Sequence, residues 1–354
     1  MDLLEEFFEH PPKAEDFVPR KVSLEGKEHT NLFGPRGCGK SALALSYMAQ
    51  NDKNILYIDL EEPKLLMQTY DTLPIQEFID EYDIDELILD HFEEELELEL
   101  PQVSRIILIS KRVLNIDGFK TQKMLTLDFE EFLAFDYHNS STIALNHFFK
   151  TGTLPITAKY QKSIQTHLKL FFQNNFLENE QSLLLILAKY NTHHLTTNQI
   201  YTYTKEYFRV SKDFVYSTIK RFQEEEIIYM LDNHIKRSGK KLILYDFAFA
   251  KYLSINHSFI NSFDTLIAIS LIKHHESIKA FGLFGYIVND EVIIPAPFES
   301  EESIWRKSQN QFNLYKKHKI DKVTIITVAN SFSFTIDKIT FEAIPFTEWS
   351  IIDE

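Results

Sequence analysis

Residues 34–42 hold the side chains whose types and spacing most clearly imply chemistry. The segment Gly34-Pro35-Arg36-Gly37-Cys38-Gly39-Lys40-Ser41-Ala42 contains a full match to the phosphate-loop pattern G-x-x-x-x-G-K-[ST]. Its glycines let the backbone turn tightly and expose N–H groups to phosphate oxygens. Lys40 would reach the β and γ phosphates of a nucleoside triphosphate, and the Ser41 hydroxyl would bind Mg²⁺. The segment therefore predicts a site for ATP and Mg²⁺.

A phosphate loop requires a strand before it and a helix after it, and the flanking residues have both patterns. Residues 29–33 form a short strand candidate, and residues 42–48 carry the apolar positions of an amphipathic helix. The N-terminal end of such a helix favours an anion, because its dipole is positive there. An ordinary glycine-rich turn is the alternative, and the context favours the nucleotide site.

Four further apolar runs follow the loop and alternate with helical patterns. They lie at residues 54–60, 87–90, 105–110 and 124–127. Strands that alternate with helices indicate a parallel sheet with helices on both faces. The sequence therefore predicts an α/β fold with a P-loop NTPase parallel-sheet core.

The third predicted strand ends at Asp90, where an ATPase of this type would hold the water shell of its magnesium ion. An ordinary aspartate at the end of a strand is the alternative. The next residue is His91, whereas most such ATPases carry a glutamate there that activates water. Imidazole is only a weak base near neutral pH, so we expect nucleotide binding with slow hydrolysis.

Several segments together resemble one known family. They are GPRGCGKSALALSY, ILYIDLEEPKLL, ELILDHFEE, RIILISKR and LTLDFEEFLAF. They resemble the successive core motifs of bacterial and archaeal AAA+-type ATP-binding proteins, in which a winged helix and a degenerate nuclease-like domain of the PD-(D/E)XK type follow the core. The resemblance covers residues 15–250. It implies that Lys40 and Ser41 bind phosphate and Mg²⁺, that Asp90 binds Mg²⁺, and that Ser110 is a polar sensor. Glu93 or Glu94 would partly replace the missing base.

The middle of the chain has the pattern of a helical lid followed by a winged helix. Helices are predicted at residues 156–172, 181–190, 196–208 and 212–223, and strands at 227–231 and 242–245. The turn between those strands carries Lys236, Arg237, Lys240 and Lys241. Contact with DNA phosphates through residues 212–241 is one interpretation, and a packing or protein-partner module is the other.

The last hundred residues form a mixed α/β region. Strands are predicted at 281–287, 291–295, 323–328 and 333–336, and one clear helix at 305–318. A nuclease-like metal site would need an acid followed by Glu-x-Lys or Asp-x-Lys, and residues 256–354 contain no such triplet. Nuclease chemistry is therefore not expected. The predicted domains are 1–137, the ATP-binding core; 138–192, the lid; 193–255, the winged helix; and 256–354.

Composition places limits on the class of protein. The 354 residues suggest two or three domains, and the single cysteine, Cys38, allows neither an intrachain disulfide nor a cysteine zinc cluster. The formal charge is −15, yet residues 51–100 hold 17 acidic and 2 basic residues, while residues 151–250 hold 9 acidic and 13 basic. No signal pattern or apolar run of membrane-spanning length is evident, which predicts a cytoplasmic protein.

Together these patterns predict an ATP- and Mg²⁺-binding switch protein. Its nucleotide state would move a lid and a winged helix to present or hide a surface for DNA or a protein partner. A nucleotide-stabilised interaction module without turnover is the alternative. The sequence leaves the partner and any oligomeric state open.

Overall fold

A computed structural model describes residues 3–13, 17–67, 73–96, 98–136, 140–236, 239–255, 257–283 and 285–351. The chain divides into two compact units. Unit 1 contains residues 1–126 and 224–226, and unit 2 contains residues 127–223 and 227–354. The finer division into four domains stays a prediction. Among the described residues, no helix has the length and apolar character needed to span a membrane.

Unit 1 is built on a parallel sheet of five strands, which confirms the predicted α/β core. The strands are β1 (Thr30–Phe33), β2 (Ile55–Asp59), β3 (Glu86–Asp90), β4 (Arg105–Ser110) and β5 (Lys120–Lys123). Their order in the sheet is β2-β3-β4-β1-β5, and every neighbouring pair is parallel. Because the strands are parallel, their carboxyl ends share one edge, where ligands of open α/β sheets bind.

Helices cover both faces of this sheet. They are α1 (Leu3–Glu9), α2 (Lys40–Ala49) and α3 (Ile75–Glu81), with short 3₁₀ turns at Pro63–Met67 and Glu94–Leu96. Alternate residues of each strand enter separate cores, since side chains of a strand alternate between faces. Leu87 and Leu89 pack in the cluster that contains residues of α1 and α3, whereas Ile88 packs with residues of α2.

The fifth strand lies four residues before its predicted position. The apolar pattern predicts it at residues 124–127, but β5 is Lys120–Lys123, and the Met124 N–H donates to the Phe33 carbonyl after the strand ends. The prediction was wrong because β5 is an edge strand with mostly exposed polar side chains. Met124 and Leu127, which suggested the strand, are core residues beyond it.

Unit 2 begins with five helices, of which the last four lie within residues 138–192, where a lid was predicted. They are α4 (Phe129–Phe135), α5 (Ser141–Thr151), α6 (Pro155–Lys159), α7 (Ile164–Asn175) and α8 (Glu178–Lys189). Asp128 starts α4 with a capping box, since its side chain accepts from the Glu131 N–H and the Glu131 carboxylate accepts from the Asp128 N–H. The predicted helix at 156–172 is divided into α6 and α7 by a 3₁₀ turn at Gln161–Ser163.

A small three-stranded sheet and two more helices follow. The elements are β6 (His194–Leu195), α9 (Thr197–Tyr207), α10 (Lys212–Glu224), β7 (Ile228–Leu231) and β8 (Lys240–Leu244). The sheet order is β6-β8-β7, and both pairs are antiparallel. Thr196 and Gln199 form a capping box at the start of α9, as the predicted threonine cap requires. The two predicted helices and two predicted strands therefore exist close to their expected bounds.

The remainder of unit 2 contains a six-stranded mixed sheet. Its strands are β9 (Lys279–Phe281), β10 (Gly285–Val288), β11 (Glu291–Pro295), β12 (Lys322–Thr327), β13 (Phe332–Ile336) and β14 (Ile339–Pro345), in the order β13-β14-β12-β11-β10-β9. The central pairs β11-β12 and β12-β14 are parallel, and the outer pairs are antiparallel. The helices are α11 (Phe247–Leu253), α12 (Phe259–His274), α13 (Glu301–Lys317) and α14 (Phe346–Trp349).

The sequence prediction for this region was incomplete at three places. The strand expected at 281–287 is the hairpin β9-β10, in which Gly282 adopts φ 68. Strand β14 was not predicted, although its burial alternates along the strand. Helix α12 was not predicted, because its own apolar residues are distributed around all its sides. It therefore lacks the polar face that marks an amphipathic helix.

Candidate nucleotide-binding site

The predicted phosphate loop joins β1 to α2, as the motif requires. A Cβ atom at Gly34 would lie 1.9 Å from the Met124 carbonyl oxygen, so only glycine fits at the start of the loop. Gly39 adopts φ 100 and is the residue that precedes the first turn of α2. Ser41 and Ala42 lie in that turn, where the N–H groups and the helix dipole favour an anion.

The Lys40 ammonium lies inside this loop. Its Nζ donates to the carbonyl oxygens of Gly34, at 2.8 Å, and Pro35, at 3.0 Å, and the side chain is buried. The buried thiol of Cys38 is 3.9 Å from the same nitrogen. The loop thus surrounds its lysine and places a positive charge next to the start of α2, which is the arrangement that phosphate binding needs.

Two arginines that are not among the fixed residues of the phosphate-loop pattern make contacts that hold the loop. Arg20, which the sequence analysis did not identify, donates to the Cys38 carbonyl at 2.7 Å and to the Leu125 carbonyl at 2.9 Å. Arg36 pairs with Glu225 at 3.2 Å, and residues 224–226 belong to the same compact unit. An arginine in a lead-in segment gives no local signal, so this role became visible only in the structure.

Asp90 ends β3 and is fully buried. Its Oδ2 accepts from the Tyr57 hydroxyl at 2.6 Å, and its Oδ1 accepts from the His91 N–H at 2.8 Å. Burial, together with the negative charge of Asp90, raises the pKa of Tyr57 well above its ordinary value. Tyr57 therefore remains a donor, and both carboxylate oxygens of Asp90 have fixed directions.

Ser110 ends β4 opposite Phe33, the last residue before the phosphate loop. Its hydroxyl accepts from Asn31 Nδ2 at 2.8 Å and donates to the Arg112 carbonyl at 2.6 Å. Asn31 is fully buried in β1 and also accepts from the Leu114 N–H. The predicted sensor thus lies beside the loop and is held in position by a residue that the sequence analysis did not select.

His91 adopts a left-handed conformation with φ 58, which is uncommon for a residue with a side chain. After this residue, the Phe92 N–H donates to the Ile109 carbonyl of β4. The His91 imidazole turns to Asp59, with Nδ1 2.7 Å from Oδ1, and lies 3.7 Å from Glu61. Burial acts to lower the pKa of His91. The hydrogen bond to Asp59 and the nearby carboxylates act to raise it, and because their combined effect is larger, the net shift is upward.

Glu93, a candidate base, is engaged with Lys111. The ammonium of Lys111 lies 3.2 Å from Glu93 Oε1 and 3.1 Å from Glu61 Oε1. Burial lowers the pKa of Lys111, but its bonds to Glu61 and Glu93 outweigh this and raise it above the ordinary value. Lys111 is therefore a cation that links the ends of β2, β3 and β4.

Comparison with known families supports the nucleotide site. Residues 27–103 match the AAA domain family. The matched segment includes β1, the phosphate loop, α2 and Asp90. The chain has no match among curated proteins. The AAA domain and its parallel sheet fit a nucleotide-binding, AAA-type protein.

The basic turn outside the AAA domain differs from its prediction. Lys241 was placed in the turn, where phosphate contact was one of two interpretations, but its side chain is fully buried and its Nζ is 2.7 Å from Asp264 Oδ2. The cause is strand pairing, because Lys241 lies in β8 between His194 of β6 and Leu231 of β7. Arg237 lies outside the described residues.

Other basic residues of the same region are partly neutralised. Arg221 pairs with Glu180, and Lys240 pairs with Asp232 at 3.1 Å. A groove of about 570 Å³ lies beside the turn, and the exposed lysines Lys236, Lys240 and Lys279 contribute to its lining. The start of α9, at Thr196 and Thr197, also lines it. Lys212 and Lys220 of α10 are also exposed, and contact of residues 212–241 with DNA stays a prediction.

Proposed function

We propose that this chain is a nucleotide-dependent switch that binds ATP with Mg²⁺ at residues 34–42. The observation that carries the proposal is the Lys40 ammonium, which is held inside a complete phosphate loop by the Gly34 and Pro35 carbonyls. The parallel sheet and the AAA domain match agree with it. ATP would enter at the carboxyl edge of the sheet, with its phosphates against the first turn of α2.

The residues of the loop and of β3 fit a magnesium ion that would bind together with the phosphates of ATP. Among the residues that the structure describes, no cluster of three His, Cys, Asp or Glu side chains could hold a metal by itself. Mg²⁺ usually takes one or two protein oxygens and completes its shell with phosphate and water. Ser41, in the first turn of α2, and the fixed carboxylate of Asp90 would supply those oxygens. The ion would neutralise charge on the phosphates.

Hydrolysis is expected to be slow for two reasons that concern the base. Position 91 holds a histidine whose ring is turned to Asp59 and Glu61, and Glu93 is paired with Lys111. Neither side chain is a free carboxylate beside Asp90, and a general base must reach the attacking water. An interaction module that binds nucleotide without turnover is the alternative, and the same pairing favours it.

The rest of the chain would present the surface that the switch controls. We assign β6, α9, α10, β7 and β8 to a winged helix, because they follow one another in the order strand, two helices and two strands. The mixed sheet that follows would be a degenerate nuclease-like domain. The partner of this surface would be either DNA, at the lysine-lined groove, or a protein. A protein partner is favoured at the places where basic residues are already paired with acidic ones.

Titration with a fluorescent ATP analogue, with and without Mg²⁺, tests the proposal. Lys40→Ala should weaken binding by about 10- to 100-fold or more, because charge-assisted bonds contribute about 1.5–3 kcal/mol each. Lys64→Ala is the matched control, since Lys64 is exposed and pairs with Glu6. Circular dichroism should show the same helix content in both variants.

Equal affinity of Lys40→Ala and the wild type would refute the phosphate-loop assignment. Phosphate release, measured on the same samples with and without DNA, separates the two forms of the proposal. A slow but measurable rate supports the ATPase switch, whereas binding with no release supports the module without turnover.

A further inference from the structure

Lys111 is the residue that connects the acidic side chains at the carboxyl edge of unit 1. It directly follows Ser110 at the end of β4. Its Nζ contacts Glu61 at 3.1 Å and Glu93 at 3.2 Å, and the side chain is only 21% exposed. Glu93 is 28% exposed, so its pair with Lys111 is screened less than a surface ion pair, whereas Glu61 is 58% exposed. The contact therefore restrains Glu93 more than Glu61.

The network continues from Glu61 to His91. Glu61 Oε1 contacts Lys111, while Glu61 Oε2 lies 3.7 Å from His91 Nε2. His91 in turn is bonded to Asp59 through Nδ1. The two side chains nearest in sequence to Asp90 that could take a proton are thus both held by partners on neighbouring strands.

We propose that Lys111 is a positioning residue that keeps Glu93 from acting as the general base for ATP hydrolysis. The inference rests on the proposed nucleotide site. It assigns the slow hydrolysis that we expect to a specific ion pair, in addition to the histidine at position 91. The positive charge of Arg36 in the phosphate loop acts to lower the pKa of Lys111, although the net shift is upward.

The pair would prevent the transfer of a proton from water to Glu93 during hydrolysis. In hydrolysis, the oxygen of water forms a bond to the γ phosphorus, and the bond from that phosphorus to the β–γ bridging oxygen breaks to release ADP. The proton of the water passes to Glu93 and then to solvent or to the released phosphate. The Lys111 ammonium, 3.2 Å from Glu93 Oε1, takes an acceptor site of that carboxylate and holds the group in one direction.

Measurement of kcat and KM for Lys111→Met and Lys111→Arg tests the inference. Methionine has a similar length and no charge, so it should free Glu93 and raise kcat by about 10-fold or more, with little change in nucleotide affinity. Arginine retains the cation and should keep the slow rate of the wild type. Lys120→Met, at an exposed position of β5, is the control for removal of a charge.

The double variant Lys111→Met with Glu93→Gln decides whether the gain passes through Glu93. It should return kcat to the wild-type value, while Glu93→Gln alone should change it little. A lower or unchanged kcat in Lys111→Met, or a gain that persists in the double variant, would overturn the inference. Lys111→Gln provides a second neutral variant if methionine impairs folding. Failure of the wild type to bind nucleotide would instead refute the proposed function.

Discussion

The Nζ atom of Lys241 lies 2.7 Å from Asp264 Oδ2, and the lysine side chain is fully buried. The Tyr286 hydroxyl also donates to Asp264, and its ring centroid is 4.3 Å from the ammonium. Burial lowers the pKa of Lys241 below its ordinary value, although Asp264 opposes this. Lys241 therefore joins β8 to α12 inside unit 2.

Lys241→Ala should destabilise the protein by about 3–5 kcal/mol, because removal of one partner leaves a carboxylate without its counter-charge. Urea unfolding followed by circular dichroism gives the change. Lys240→Ala is the matched control, since that lysine is the exposed neighbour on the same strand. Equal midpoints for the two variants would show that the Lys241–Asp264 pair contributes little.

The lowered pKa of His257 predicts that the protein loses stability in mild acid. Burial, and to a lesser degree Lys251, lowers its pKa from 6.5 to about 4, and its ring contacts the Ser262 hydroxyl. Between these two values the unfolded chain binds a proton that the folded chain does not. The contribution of His257 to stability should therefore be constant above about pH 7 and be lost as the pH falls from 6.5 towards 4.

His257→Gln should remove this part of the pH dependence. The difference in unfolding free energy between the variant and the wild type should change by about 1–2 kcal/mol from about pH 7.5 to about pH 4.5. This value is smaller than the free energy that corresponds to the whole pKa shift, because the ring is partly exposed and solvent screens its charge. His274→Gln, at an exposed position, should follow the wild type. A pH-independent difference for His257→Gln would contradict the predicted shift.

The lysine-lined groove gives a direct test of nucleic-acid binding. If Lys236, Lys240 and Lys279 bind phosphates, changing all three to alanine should weaken binding to a labelled DNA duplex. The salt dependence should also flatten, and its slope should change by about 0.9 for each duplex phosphate that the variant no longer neutralises. Fluorescence anisotropy between low and moderate salt measures both effects.

Lys316→Ala combined with Lys317→Ala and Lys322→Ala controls for the change in net charge, because these residues lie away from the groove lining. An equal loss of affinity in both triple variants would indicate nonspecific attraction. If the wild type binds no duplex at low salt, the protein-partner interpretation is the one that remains.

The sequence by itself determined the features of this protein that depend on short segments. The phosphate loop, the strand before it and the helix after it lie within about twenty residues, and their glycines and apolar spacing carry the information locally. The same holds for β2, β3 and β4, whose apolar runs predicted buried parallel strands. Asp90 could be selected because it ends such a run.

The tertiary structure decided which of the charged residues act together. Lys111 and Glu93 are 18 positions apart, and Lys241 and Asp264 are 23 apart, so no local pattern pairs them. Lys241 was placed on the surface by its basic neighbours, whereas strand pairing and the approach of α12 bury it. An ion pair requires two groups to meet in space, and only the packing of distant strands and helices determines that meeting.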